Sequence, residues 1–399
     1  MQINRLTLTN FRAFEQVEFD FQPGMNLIVG INGVGKSSVL DALRVLISQV
    51  LGKFSACKTQ AQNFSSNDIR IDQNFLTAEL KFTAMNIEFD YSLNQDRNSK
   101  KSKHLTPNSK LILDPLKTDS KQPLALYFST RRSLPKMTPP KNSASNQSIA
   151  FVRALTHRQL ELGEIAQWWL TREELAQEGD EQAKNILKTL KNAAIIFLES
   201  CTNLWAVKQQ QTTLFLDKDG TTLDVRWLSD GERGILALVL DLAKRLSLAN
   251  PTLKEPLQEG EAIVLIDELD LHLHPRWQRN IVNKLTTTFP NCQFIATTHS
   301  PQIIGEVEPE SILIIERGKQ PFRPDQSLGM DSNWVLRFLM ETSERDINTK
   351  QKLERIESLI EDRNFPEATE EIKHLRELGQ FPELVHLQTR IERIRRLGR

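Results

Sequence analysis

Apolar and polar residues alternate along the first stretch of the chain, LTLTNFRAFEQVEFDF, with the period of two that half-buried strands show. Residues 25–29, MNLIV, are continuously apolar, the pattern of a strand buried on both faces. Val39, Leu40, Leu43, Val45, Leu46 and Ile47 then follow at near-helical spacing. The run FLTAELKFTAMNIEFDYSL predicts a strand pair, and residues 124–132 predict a strand that ends in Arg131 and Arg132. Two polar stretches, 95–120 and 133–149, are dense in Ser, Pro, Asn and Lys and predict exposed loops. Residues 151–200 carry a helical pattern, and 203–217 and 221–226 predict two short strands. A long apolar helix is predicted after residue 230, with buried strands at 262–266 and 293–298. Beyond residue 340 three amphipathic helices are expected, with Pro366 and Pro382 in the first turns of the second and third.

Strands alternating with helices predict an α/β fold. The expected divisions are an N-terminal lobe over 1–135, a helical insertion over 136–202, a C-terminal lobe over 203–330 and a helical tail over 331–399. The 399 residues fit two or three structural units, at about 150 residues per domain. Lys and Arg number 51 and so do Asp and Glu, so any polyanion contact must come from a local patch. The arginines at 390, 393, 395, 396 and 399 form one such patch, and Arg97, Lys100, Lys101 and Lys103 another. A solvated surface is the better account of either patch. Three widely spaced cysteines, Cys57, Cys201 and Cys292, provide neither a disulfide framework nor a thiolate zinc site. The start of the chain has no apolar core of a signal peptide, and no apolar run reaches the ~18 residues of a membrane span. A cytoplasmic protein is expected.

The chemistry concentrates in four short motifs. The stretch GINGVGKS, residues 30–37, stands between a predicted strand and a predicted helix. In that context Asn32, Gly33, Gly35 and Ser38 belong to a loop whose backbone N–H groups cradle phosphate oxygens beside a helix N-terminus. Lys36 would reach the β- and γ-phosphates, and Ser37 would ligate Mg²⁺. Far along the chain, AIVLIDE ends in Asp267 and Glu268 at the C-terminal end of a buried strand. Asp267 is the expected metal-shell residue, and Glu268 the carboxylate that orients and activates water. The strand QFIATT ends in His299, where an imidazole can hydrogen-bond the γ-phosphate. Ser229, Gly231 and Glu232 lie in LSDGER at a predicted helix start, which serves equally as a helix cap or as an anion site. The Asp217-Lys-Asp219-Gly220 spacing reads as a hairpin turn before it reads as a metal site.

The order GINGVGKS, LSDGER, IVLIDELD, TTHS resembles the ABC-type ATPase heads of the SMC/RecF/OLD group. That resemblance implies a P-loop head with a mixed sheet, an inserted helical arm in place of a long coiled coil, and an all-helical C-terminal tail. It also implies ATP and Mg²⁺ as cofactors, with nucleotide sandwiched between two protomers. Ser229 and Gly231 of one copy would then meet the γ-phosphate held by Lys36 of the other, and Arg12 would stand near the nucleotide. Asp230 and Glu232 depart from the LSGGQ signature of transporters. More narrowly, DELDLHLHP, GMDSNWVL at 329–336 and the helical tail resemble the stand-alone ATPases of Septu and retron antiphage systems. This implies a homodimer or larger homo-oligomer, an HNH-type nuclease partner, nucleic acid contacted through the complex, and no membrane. The alternative is a RecF-like DNA-repair clamp that binds DNA directly.

Overall fold

The structure, a computed structural model, describes residues 1–54, 61–97, 101–106, 122–130, 147–157, 160–208, 210–340, 342, 346–379 and 381–397. They form two compact units, Met1–Val335 and Leu336–Arg399. Lys100, Arg131, Arg132, Arg399, Cys57 and most of the 107–146 stretch lie outside the described residues.

In the first unit the alternating segments build an antiparallel sheet. It contains β1 (Gln2–Phe11), β2 (Phe14–Asp20), β4 (Phe75–Ala84), β5 (Ile87–Asp96) and β6 (Lys101–Thr106), in the order β2-β1-β4-β5-β6. The β4–β5 hairpin turns at Met85 and Asn86, both with positive φ, as a tight two-residue turn requires. Strand β6 lies within the segment expected to be a loop. Its alternation is weak because it is an edge strand: Ser102, Lys103 and His104 are exposed and Leu105 alone is buried.

The continuously apolar runs build a second sheet, parallel throughout. Its order is β13 (Ile312–Ile314), β3 (Met25–Val29), β12 (Cys292–Thr298), β11 (Ala262–Ile266) and β7 (Leu124–Phe128). The mixture of parallel and antiparallel pairing is thus distributed between separate sheets. Helix α1 (Lys36–Phe54) packs against strands of both and buries Val39, Leu40, Leu43 and Leu46 between them. Ile263, Leu265 and Ile295 join that core, while the alternate residues Val264, Phe294 and Ala296 are equally buried on the other face.

Helices α2 (Leu162–Gln177) and α3 (Glu181–Phe197) fold back on each other and on α4 (Asp230–Ala249). They also cover a small antiparallel sheet, β8 (Cys201–Val207), β9 (Thr213–Lys218) and β10 (Thr221–Asp224). The single strand expected over 203–217 is therefore two strands: the first ends at Val207, and Thr213 pairs back onto it. The β9–β10 turn has Asp219 and Gly220 at positive φ, and Asp217 accepts the Thr222 hydroxyl at 2.6 Å, as a hairpin demands. Helix α5 (Pro275–Thr288) follows β11.

In the second unit α6 (Ile347–Glu361), α7 (Phe365–Leu378) and α8 (Pro382–Leu397) enclose Ile356, Ile360, Ile372, Leu375, Leu384 and Ile391. The basic end is partly engaged within the bundle. Arg390 pairs with Glu361 at 3.7 Å, and the Arg395 guanidinium lies 5.5 Å from the Phe365 ring centre. Among the described residues no helix is long and apolar enough to cross a membrane.

Candidate nucleotide site

Parallel register brings the motifs to one edge. Thr298 pairs with Val29, and Ile266 pairs with Ala296, so the residues after β3, β11 and β12 emerge side by side. This C-terminal edge is where open parallel sheets place their ligands.

The loop after β3 has φ of +84° at Gly33 and +108° at Gly35. A Cβ on Gly35 would lie 2.6 Å from the Phe14 ring, so glycine is required there by both backbone and space. The Lys36 ammonium donates to the carbonyls of Gly30 at 2.8 Å and Ile31 at 2.9 Å, curling the loop around itself. Burial pushes its pKa down to about 8 against the attraction of Asp267, Glu268 and Asp270. Asn32 and Gly33 lie on the exposed rim, with Ser37 exposed at the helix start.

The Ser37 hydroxyl donates to Asp267 Oδ1 at 3.0 Å. The buried Thr297 hydroxyl donates to the same oxygen at 2.8 Å and accepts the Glu268 N–H at 2.7 Å. Glu268 has φ of +50°, a strained conformation for a side chain of its length and a feature that clusters at functional sites. One rung further, Thr298 donates to Asp270 at 2.6 Å and the His299 N–H donates to the same carboxylate at 3.2 Å. Burial, with the charge of Lys36, lowers the His299 pKa, so the half-buried ring is neutral at neutral pH. Ser37, Asp267, Glu268, Lys36 and His299 thus form one constellation. Ser37 and Asp267 offer two hard oxygens within hydrogen-bond distance of each other, a donor pair suited to Mg²⁺.

Arg12, in the turn after β1, reaches helix α1. Its guanidinium donates to the Ser38 hydroxyl at 3.1 Å, to Asp41 at 2.9 Å and to Asp68 at 2.9 Å. Burial would raise the Asp41 pKa, but His157, Arg12 and Arg44 bring it down to about 2. Arg12 is therefore held beside the phosphate loop by two carboxylates.

The LSDGER motif starts α4. Ser229 is its N-cap in a reciprocal capping box: the Ser229 N–H and hydroxyl donate to Glu232 at 3.0 and 2.8 Å, and the Glu232 N–H returns to Ser229. A Cβ on Gly231 would lie 2.3 Å from the His272 carbonyl, so this glycine lets the helix start touch the loop after Glu268. His272 has positive φ, and the His274 ring caps α5.

Residues 25–305 match the family described as "AAA domain, putative AbiEii toxin, Type IV TA system". The chain belongs to that family. The "Retron Ec83 probable ATPase" of Escherichia coli is 28% identical over 86% of this chain and 77% of its own length. The "Septu protein PtuA" of Bacillus mycoides is 25% identical over 79% of this chain, which spans only 40% of that relative. Among solved structures, the SMC head bound to the C-terminal winged-helix domain of ScpA aligns with a TM-score of 0.51. Its identity is 15%, over 82% of this chain and 99% of that one, which establishes the SMC-type head fold.

Sequence reasoning missed the tethers of this AAA-family site: Thr297, Thr298, Asp270 and Asp41. The only available signal was the pair of threonines before His299, since a hydroxyl inside an apolar strand must find a partner.

Two outcomes follow. Bound phosphate restores the Lys36 pKa, so ATP binding takes up protons near pH 8. ATP affinity is then flat below that pH and falls above it, as calorimetry in buffers of different ionisation heat measures. Thr297→Val keeps the side-chain shape but strands the Glu268 N–H and unties Asp267. Turnover should drop by roughly 10–100-fold, the usual cost of losing an orienting partner, with ATP affinity little changed in a filter-binding assay.

Proposed function

We propose that the chain is an ATP-hydrolysing switch that closes around nucleotide as a homodimer or larger homo-oligomer and controls a separate nuclease in an antiphage complex. The convergence of Lys36, Ser37, Asp267, Glu268 and His299 at one sheet edge carries the hydrolytic part of this reading. The phosphate loop and Lys36 would hold the β- and γ-phosphates. Mg²⁺, held by Ser37 and Asp267, would offset the phosphate charge. Glu268, set by the Thr297 hydroxyl, would orient the attacking water and take its proton. Neutral His299 would donate an N–H to a γ-phosphate oxygen.

Sharing of the site between two copies is supported by its surface. Ile31 in the phosphate loop is 59% exposed and Trp227, two residues before Ser229, is 74% exposed. Large apolar side chains on the surface beside both phosphate-binding motifs suit a face covered by a second copy, where each motif meets the other. The antiphage setting draws on relatives named as retron and Septu proteins. An HNH-type nuclease as the regulated partner follows from the Septu-like and retron-like motifs.

The test is Glu268→Gln. It should keep ATP-driven self-association, read by light scattering after size exclusion, while ATP turnover falls by about a hundredfold or more. Wild type with the nuclease should cut nucleic acid under nucleotide control, and wild type alone should not. Tight, ATP-dependent and salt-sensitive DNA binding by the chain alone, with no nuclease co-purifying, would replace this reading with a RecF-like clamp.

A further inference from the structure

The LSDGER motif poses an electrostatic problem for the role just given to it. A helix start that receives a triphosphate carries two carboxylates here, Asp230 and Glu232, each of which repels an anion. Each is paired with a cation in the structure. Arg233, one turn along, pairs with Asp230, whereas Glu232 pairs with Lys218 from a different element. Lys218 is the last residue of β9, and the tight Asp219–Gly220 turn holds it against the start of α4. Both side chains are largely shielded, at 21% and 13% exposure. The Glu232 carboxylate is thereby fully engaged. One oxygen accepts from Lys218, and the other from the Ser229 N–H and hydroxyl. Burial alone would raise the pKa of Glu232, but Lys218 and Ser229 hold it below its ordinary value.

We propose that Lys218 is a positioning residue of the shared ATP site, which it serves by neutralising Glu232 and so releasing the Ser229 hydroxyl to a phosphate oxygen. The inference rests on the reading that Ser229 meets the nucleotide of a second copy. The Ser229 hydroxyl has one proton to give, and in this structure Glu232 takes it. To bind phosphate, that proton must turn from the carboxylate to the incoming anion. A lone carboxylate would retain the proton as a charge-assisted bond and repel the phosphate as well. With Lys218 on its other oxygen, Glu232 holds the proton less strongly and its charge is offset at the point of approach. The hairpin that carries Lys218 accordingly has a role in the signature beyond closing a small sheet. A signature with glutamine in this position would need no such cation.

Lys218→Met removes the cation and keeps the stem. ATP-driven self-association should weaken by about tenfold, the size of one charge-assisted hydrogen bond, read by analytical ultracentrifugation over a protein titration. Binding of a fluorescent ATP analogue to the dilute single protomer should not change, because the phosphate loop is untouched. Adding Glu232→Gln to Lys218→Met should restore association to within about twofold of wild type, since no negative charge is left to offset. Unchanged association in Lys218→Met overturns the proposal. So does a defect that the double variant fails to repair, which would make Lys218 a structural support of the hairpin. Ser229→Arg separates the two layers of the argument. If it abolishes association while Lys218→Met does not, only the role of Lys218 fails; if it leaves association intact, the shared-site reading fails.

Discussion

The hydroxyl of Thr297 joins the two strands on which the site depends. It is buried between β11 and β12, gives its proton to Asp267 and takes the amide proton of Glu268. The residue that would hold the metal and the residue that would activate water are thereby set against each other by one side chain. Parallel pairing makes this achievable: with Ile266 opposite Ala296, the next residues on each strand face one another where the ladder ends. The second rung, Thr298 with Asp270 and the His299 amide, repeats the device and ties the histidine to the same loop.

The remainder of the first unit makes that edge rigid and keeps its charges in balance. Helix α1 is clamped between two sheets, so the phosphate loop at its start is anchored by a large apolar core rather than by loop contacts. Lys36 stays charged near neutrality despite its burial because three carboxylates stand nearby. Three non-glycine residues in or beside the motifs, Arg12, Glu268 and His272, have positive φ.

The buried strands, the glycine-rich loop after β3 and the strand leading to Asp267 and Glu268 were legible in the sequence, because buried parallel strands read as unbroken apolar runs and glycine spacing encodes a loop. The β4–β5 strand pair was legible from its alternation, while its turn at Met85 and Asn86 came from the fold. Strand β6 was not, since an edge strand rich in lysine has the composition of a loop. The break between β8 and β9 was hidden too, because a short polar interruption carries little period information. The tethers escaped for a different reason. Thr297, Asp41 and Lys218 act through partners 14 to 30 residues away on other elements, and no local pattern records such a contact. The Asp217–Gly220 turn was read as a hairpin, yet its consequence, a lysine delivered to Glu232, needed the fold.

In the proposed switch each ATP site would take its phosphate loop from one copy and its signature from another. Turnover of Lys36→Ala and Ser229→Arg, each alone and mixed, addresses it most directly. Each variant alone should be nearly inactive, whereas in the mixed dimer one of the two sites combines an intact Lys36 with an intact Ser229. Recovery of ATP turnover on mixing is the predicted result. A mixture no more active than its components, with mixed dimers present by mass, would contradict the account.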